Sequence, residues 1–225
     1  MQNKKISAAY ERVGKFSNLY DGMITNTSFF GRLAMKIFWG LSDEDYQKFL
    51  QNIFAGIPEN FCGKLLEVPI GTGIISLPIY KKIPDAEIFA LDYSEKMLNA
   101  AKNHAEEINL RNIKFFQGDV ENLPFAEKNF EIILSVNGLH VFPEKNLAAK
   151  EIFRVLKDGG IFCGSCYIFG ENWRTDLFVK NFCVKFGYFT PPFETAESLQ
   201  KKFREIYREV KIFSVQSFAC FVCKK

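Results

Sequence analysis

Apolar positions along this chain switch repeatedly between two spacings. Leu65, Leu66, Val68 and Ile70 form a short apolar run that suits a buried strand. Gly71 and Gly73 follow at once, and residues 74–82 read as a helix. Further apolar runs predict strands over residues 86–92, 112–117, 130–136 and 161–169. Between them, Met97, Leu98, Ala101, Ala105 and Ile108 recur at helical spacing behind Ser94, a helix-capping residue. Ala148, Ile152, Val155 and Leu156 mark another helix, stopped by Asp158-Gly159-Gly160. Such alternation implies a parallel sheet with helices on both faces.

The flanks have a different character. Residues 8–60 look helical. Tyr10, Val13, Phe16, Leu19 and Tyr20 share one face, a polar break falls at Thr25-Asn26-Thr27-Ser28, and residues 29–39 are rich in apolar and aromatic side chains. Ser42 caps a helix whose first turn carries Asp43, Glu44 and Asp45. This region is either a packing extension of the core or a lid over a site. In the tail, residues 172–188 form an aromatic helix, Pro191-Pro192 breaks the chain, and residues 195–203 form a short helix. Strands over 207–215 and 217–223 have almost nothing between them, so they must pair antiparallel. The expected architecture is α/β. A Rossmann-like, seven-stranded, mostly parallel sheet ends in an antiparallel hairpin. A helical lid covers residues 1–60, and the main domain spans 61–225 with a helical insertion near 171–205.

Composition narrows the picture. At 225 residues and 48% hydrophobic, the chain can bury a sizeable core. The net charge of +3 is mild, and Lys and Arg form no stripe, which argues against a nucleic-acid partner. The first residues lack the apolar stretch of a signal peptide, and no run approaches the roughly 18 apolar residues of a membrane span. The expectation is a soluble, cytoplasmic protein. Six cysteines include two C-x-x-C pairs, Cys163/Cys166 and Cys220/Cys223. Both pairs lie in strand-like runs, where residues i and i+3 face opposite sides, so no metal site is expected.

In an open parallel sheet, ligands sit beyond the carboxyl ends of the strands. Residues 67–73, Asp92, Asp119 and Asn137 all fall there. Asp92 follows Gly73 by 92 − 73 = 19 residues, near the roughly 20 expected of an acid that holds a ribose. A carboxylate can accept both hydroxyls of a vicinal diol. Asp119, one strand farther out, can accept from an amino group on a base. His140 lies just past the fourth strand and suits proton transfer near neutral pH, with a structural role as the alternative. His104 reads as a surface residue.

Four segments in this order resemble the class I S-adenosylmethionine-dependent methyltransferases. Glu67-Val68-Pro69-Ile70-Gly71-Thr72-Gly73 is similar to their acid-x-Gly-x-Gly-x-Gly loop, with Pro69 in place of the first glycine. Ala90-Leu91-Asp92-Tyr93-Ser94-Glu95-Lys96-Met97-Leu98 resembles their ribose-binding segment. Gly118-Asp119-Val120-Glu121-Asn122-Leu123-Pro124-Phe125 resembles the adenine side, and Phe153-Arg154-Val155-Leu156-Lys157-Asp158-Gly159-Gly160 the approach to the fifth strand. The resemblance implies that S-adenosylmethionine is bound and S-adenosylhomocysteine released. It implies that Asp92 holds the ribose, Asp119 the adenine amino group, and Val120 the adenine ring. Gly71 and Gly73 then meet the methionine part, Val136 and Asn137 line the methyl-donor end, and Tyr93 and Met97 pack near the adenosine. Because Pro69 lacks an N–H and has a fixed φ, the bend must fall at Gly71 and Gly73. Tyr20-Asp21-Gly22-Met23 and the run at Phe29-Phe30 resemble the lid of quinone-biosynthesis C-methyltransferases. The implied acceptor is small and partly apolar. Two other readings stand beside this one. One is a non-catalytic S-adenosylmethionine-binding protein. The other is a nicotinamide-dinucleotide oxidoreductase, whose third loop glycine falls on Ser76 here. Oligomeric state is not legible.

Overall fold

The computed structural model describes residues 29–225. The expected helix over 8–20 and the Tyr20-Asp21-Gly22-Met23 segment lie outside them. Two helices, α1 (Phe29–Trp39) and α2 (Asp43–Ile53), precede the sheet. Ser42 caps α2 by accepting the Asp45 N–H, and the Asp45 carboxylate accepts the Ser42 N–H in return. The helix lies over the C-terminal strands, with Phe49 against Phe218 at 5.2 Å.

Strands β1 (Lys64–Glu67), β2 (Glu87–Asp92), β3 (Ile113–Gln117), β4 (Phe130–Val136) and β5 (Leu156–Tyr167) are parallel. Helices α3 (Leu77–Tyr80), α4 (Glu95–Glu107) and α5 (Lys145–Val155) connect them. After β5 come α6 (Trp173–Phe178), a π-helical turn (Val179–Cys183) and α7 (Ala196–Ile206). Strands β6 (Glu209–Val215) and β7 (Phe218–Lys224) complete a seven-stranded sheet in the order β3-β2-β1-β4-β5-β7-β6. β7 is antiparallel to both β5 and β6, so the hairpin closes one side of the sheet as expected.

Each strand of the sheet's centre is buried on both faces, as a sheet covered by helices requires. Leu66, Ile133, Phe162 and Phe221 pack on one face, and Leu65, Ile88, Leu134 and Cys220 on the other. The C-x-x-C pairs divide the same way. Cys163 and Cys220 enter one cluster, and Cys166 and Cys223 enter the opposite one. Among the described residues, no three His, Cys, Asp or Glu side chains come together as a metal site. Nor is any helix among them long and apolar enough to cross a membrane.

Two boundaries differ from expectation. The helix expected over 74–82 shrinks to the single turn of α3. Pro78 has no N–H to give the carbonyl four residues back, so regular helix starts only at Leu77. Asp158-Gly159-Gly160 does not end the preceding helix, which already stops at Val155. Leu156 pairs with Phe130, the register breaks, and pairing resumes at Ile161 with Ile132, so residues 157–160 bulge from β5. Further along, Gly164 sits opposite Ser135 with φ of +148°, and a Cβ there would lie 2.0 Å from the Ser135 carbonyl oxygen. Only glycine lets β4 and β5 approach so closely. Gly164→Ala should therefore cost about 3 kcal/mol or more through overpacking. Urea denaturation measures this, and an unchanged midpoint would show that the two strands can separate freely.

Candidate functional site

The order β3-β2-β1-β4 places the reversal of strand order beside β1, and a cavity opens there at the carboxyl ends of the strands. Its walls include Glu67, Pro69, Gly71 and Gly73 after β1, and Asp92, Tyr93 and Met97 around the start of α4. Asp119 and Val120 follow β3, and Val136 and Asn137 end β4. All eleven residues that the sequence assigned to the cofactor thus line one space. Pro69 follows a cis peptide, and the loop turns at Gly71 and Gly73, whose φ angles are +57° and +69°. A Cβ on Gly71 would meet nothing within 4 Å, whereas one on Gly73 would strike Leu77 at 2.7 Å. Gly71 is therefore required for its backbone angle, and Gly73 for both angle and space.

Asp92 joins the two loops. Its Oδ2 accepts the Gly71 N–H at 2.8 Å and its Oδ1 the Ser94 N–H at 2.8 Å. Each oxygen keeps capacity to accept another bond. Burial raises its pKa to about 6, against the lowering effect of those N–H groups. Glu67 is enclosed further, and burial raises it to about 8, although the Tyr80 hydroxyl donates to it at 2.6 Å. At neutral pH Glu67 is mainly a neutral acid and Asp92 mainly a carboxylate. Asp119 is half-buried, and its Oδ1 accepts the Glu121 N–H at 2.9 Å.

At the other end, Asn137 adopts a left-handed φ of +54°. Asparagine tolerates this better than most residues, and Ser165 holds it there. The Ser165 hydroxyl donates to Asn137 Oδ1 at 3.0 Å, and the Ser165 carbonyl accepts the Asn137 N–H at 2.9 Å.

His140 is not brought to the cavity with the others. It is buried, its Nδ1 accepts the Tyr167 N–H at 3.0 Å, and its ring lies 4.0 Å from that of Phe189. Burial, helped by the nearby Lys145 charge, lowers its pKa to about 3, so it is neutral. It ties the end of β5 to the loop after β4. His104 is likewise no plain surface residue. It is half-buried, with Nδ1 2.9 Å from the Thr72 carbonyl, and so braces the glycine loop from α4. Val141, Phe142 and Pro143 also line the cavity. Their only signal in the sequence is a short apolar run a few residues past the end of β4.

Comparison with known proteins places this geometry in a class. Residues 65–160 match the methyltransferase domain family. A ubiquinone/menaquinone biosynthesis C-methyltransferase of Rickettsia prowazekii is 37% identical over 108 residues, 46% of this chain and 44% of that protein. A demethylmenaquinone methyltransferase of Lactococcus lactis is 37% identical over 97 residues, 43% of this chain and 38% of that protein. The chain thus matches about half or less of the length of these curated relatives. In fold, it is similar to a Thermotoga maritima S-adenosylmethionine-dependent methyltransferase described as a possible histamine N-methyltransferase. The TM-score is 0.69 at 20% identity, covering 96% of this chain and 99% of that one. The matched region is a methyltransferase domain, and the chain has the fold of S-adenosylmethionine-dependent methyltransferases. The cofactor of this class is S-adenosylmethionine, which leaves as S-adenosylhomocysteine. The cavity fits such a molecule, with a carboxylate able to accept from a diol, a second acceptor at Asp119, and apolar walls at Met97, Val120 and Phe142.

The buried carboxyls predict how stability depends on pH. Folded Glu67 keeps its proton to about pH 8, while the unfolded chain releases it near 4.5. The native state thus holds the extra proton between those values, and stability falls as pH rises through that window. Asp92 acts with the same sign between 3.8 and about 6. Glu67→Gln removes the Glu67 share. Its stability relative to the parent should improve from pH 5 to 8, by at most about 1.4 kcal/mol per pH unit. Urea denaturation across that range is the measurement, and a constant difference would show that Glu67 is ionised in the fold.

Proposed function

We propose that the protein transfers a methyl group from S-adenosylmethionine to a small, partly apolar acceptor, with quinones as the first class to try. The observation that carries this reading is Asp92, fixed by two backbone N–H groups at the mouth of the glycine loop with acceptor capacity facing the cavity. The cofactor, when bound, supplies an electrophilic methyl group on a positively charged sulfur. In this reading Asp92 accepts the ribose hydroxyls and Asp119 accepts from the adenine amino group. Val120, Met97 and Tyr93 enclose the adenosine. Glu67, Pro69, Gly71 and Gly73 shape the backbone around the methionine portion, while Val136 and Asn137 border the reacting end. The chain's task is then to orient two partners and exclude water. His140 is left out of the chemistry because its ring lies away from the cavity. The quinone suggestion is supported by the two curated relatives and by the apolar cavity wall at Val141 and Phe142.

Residues 1–60 are proposed as a lid region whose part before residue 40 closes on the acceptor. The residue 171–205 insertion forms the facing wall. The proposed setting is the cytoplasm, in keeping with six free cysteines.

Calorimetry with S-adenosylmethionine tests the site. Asp92→Ala should weaken binding by roughly 1–3 kcal/mol, the loss of charged hydrogen bonds. The parent's affinity should fall as pH drops below about 6, because a protonated Asp92 loses an acceptor position. No binding by the parent protein, or equal binding by the variant, would sink the assignment. Transfer of labelled methyl to a panel of quinols, phenols and amines tests the acceptor. Deleting residues 1–28 should lower transfer far more than cofactor affinity. Full turnover by the truncated protein would contradict the lid.

A further inference from the structure

α1 and the segment from α6 through the π-turn carry an exposed face that the cavity does not use. Phe38 stacks on Phe178 at 4.5 Å, Phe178 on Phe182 at 5.3 Å, and Phe182 meets Phe186 at 4.8 Å. The four rings make one ribbon across both elements, yet Phe38, Phe182 and Phe186 remain 37%, 44% and 45% exposed. Beside them, Trp173 is 71% exposed, Leu177 54% and Ile37 56%. A contiguous apolar face of this kind marks a contact surface.

Its charge is one-sided. Arg32, Lys36, Arg174, Lys180 and Lys185 are exposed, and none forms an ion pair with a described residue. α1 contains no acid. Between residues 171 and 187 the acids are Glu171, which is exposed, and Asp176. Asp176 turns inward, accepting from the Tyr167 hydroxyl at 2.6 Å and the Gly170 N–H at 3.1 Å. The Arg174 guanidinium lies 5.4 Å from the Trp173 ring.

We propose that this face docks on an anionic lipid surface. Phenylalanine, leucine and tryptophan enter the boundary between headgroups and acyl chains, while the interspersed lysines and arginines meet lipid phosphates. Long basic side chains can bury their stems and keep their charge at headgroup level. A second copy of this chain fits less well, because a two-fold contact sets cations against cations. Residues 1–28 also match poorly, with four basic residues against two acidic ones. The face connects to the cavity through packed rings. Trp39 meets Phe178 at 5.7 Å and Phe189 at 5.9 Å, and Phe189 touches His140, whose neighbours Val141 and Phe142 line the cavity. Docking does not depend on the reaction proposed above, although it would bring the β4 side of the cavity toward a source of apolar acceptors.

Co-sedimentation of the full chain with vesicles tests this. One set is phosphatidylcholine alone, and the other contains roughly a quarter phosphatidylglycerol. Binding is expected only to the anionic set and should weaken as salt rises. Lys180→Gln with Lys185→Gln should reduce it about thirtyfold, taking about 1 kcal/mol per cation near the surface. Trp173→Asp with Phe182→Asp should reduce it at least as much at low salt, with an unchanged circular dichroism spectrum. No binding to either vesicle, or equal binding by both variants, overturns the proposal. A dimer in ultracentrifugation that the variants disperse, without vesicle binding, assigns the face to a second copy instead. Binding that appears only after residues 1–28 are removed assigns it to that segment, and equally overturns docking by the full chain.

Discussion

The Asp92 carboxylate is the joint on which the site depends. Placing a carboxylate in a buried position is unfavourable unless backbone donors surround it. Here the donors come from two different strand ends, Gly71 after β1 and Ser94 at the start of α4. Satisfying the charge therefore fixes the distance between the glycine loop and the next helix. The loop can take that path because Gly71 and Gly73 accept positive φ angles. Its far side is braced by His104 against Thr72. The same bonds that make the buried charge tolerable leave its remaining lone pairs available to a ligand.

Opposite this joint, β4 delivers Asn137 in a strained backbone conformation, held by Ser165 from β5. The two halves of the cavity are thus built differently. The β1–β2 half is organised around a charge and backbone donors. The β4–β5 half is organised around neutral hydroxyl and amide groups and apolar walls. Such a division suits a molecule with a polar sugar at one end and a reacting centre that must be shielded from water at the other.

Much of this was legible in the sequence because sheet periodicity and strand-end chemistry are local signals. Phe130 to Val136 reads as a strand from its apolar run alone, and Asp92 and Asp119 stand out as acids directly after such runs. The tight spacing before residue 218 forces an antiparallel pairing whatever the rest of the fold does. What was not legible depends on partners distant in the chain. His140 reads as a proton-transfer group until Tyr167 and Phe189 enclose it, and His104 reads as a surface residue until Thr72 is brought to it. Phe142 gives no signal of its place in the cavity wall, because an apolar loop has no periodicity to show which way it faces. The Asp158-Gly159-Gly160 turn carried a stop signal that the structure uses as a bulge, since Leu156 had already found Phe130 across the sheet.

The position of β7 bears on the order in which this molecule is assembled during synthesis. β5 lies next to β4 on one side, but its other neighbour is β7, not the β6 that emerges from the ribosome earlier. Until residues 218–224 are made, β5 presents an unpaired and largely buried-type edge to its surroundings, and β6 has nothing to pair with. The following residue, Lys225, then ties back to Gly160 by its N–H and to the Phe153 and Leu156 carbonyls by its ammonium. A nascent chain halted before that point would carry a finished glycine loop beside an open sheet edge, the kind of species that chaperones bind and that aggregates when they do not.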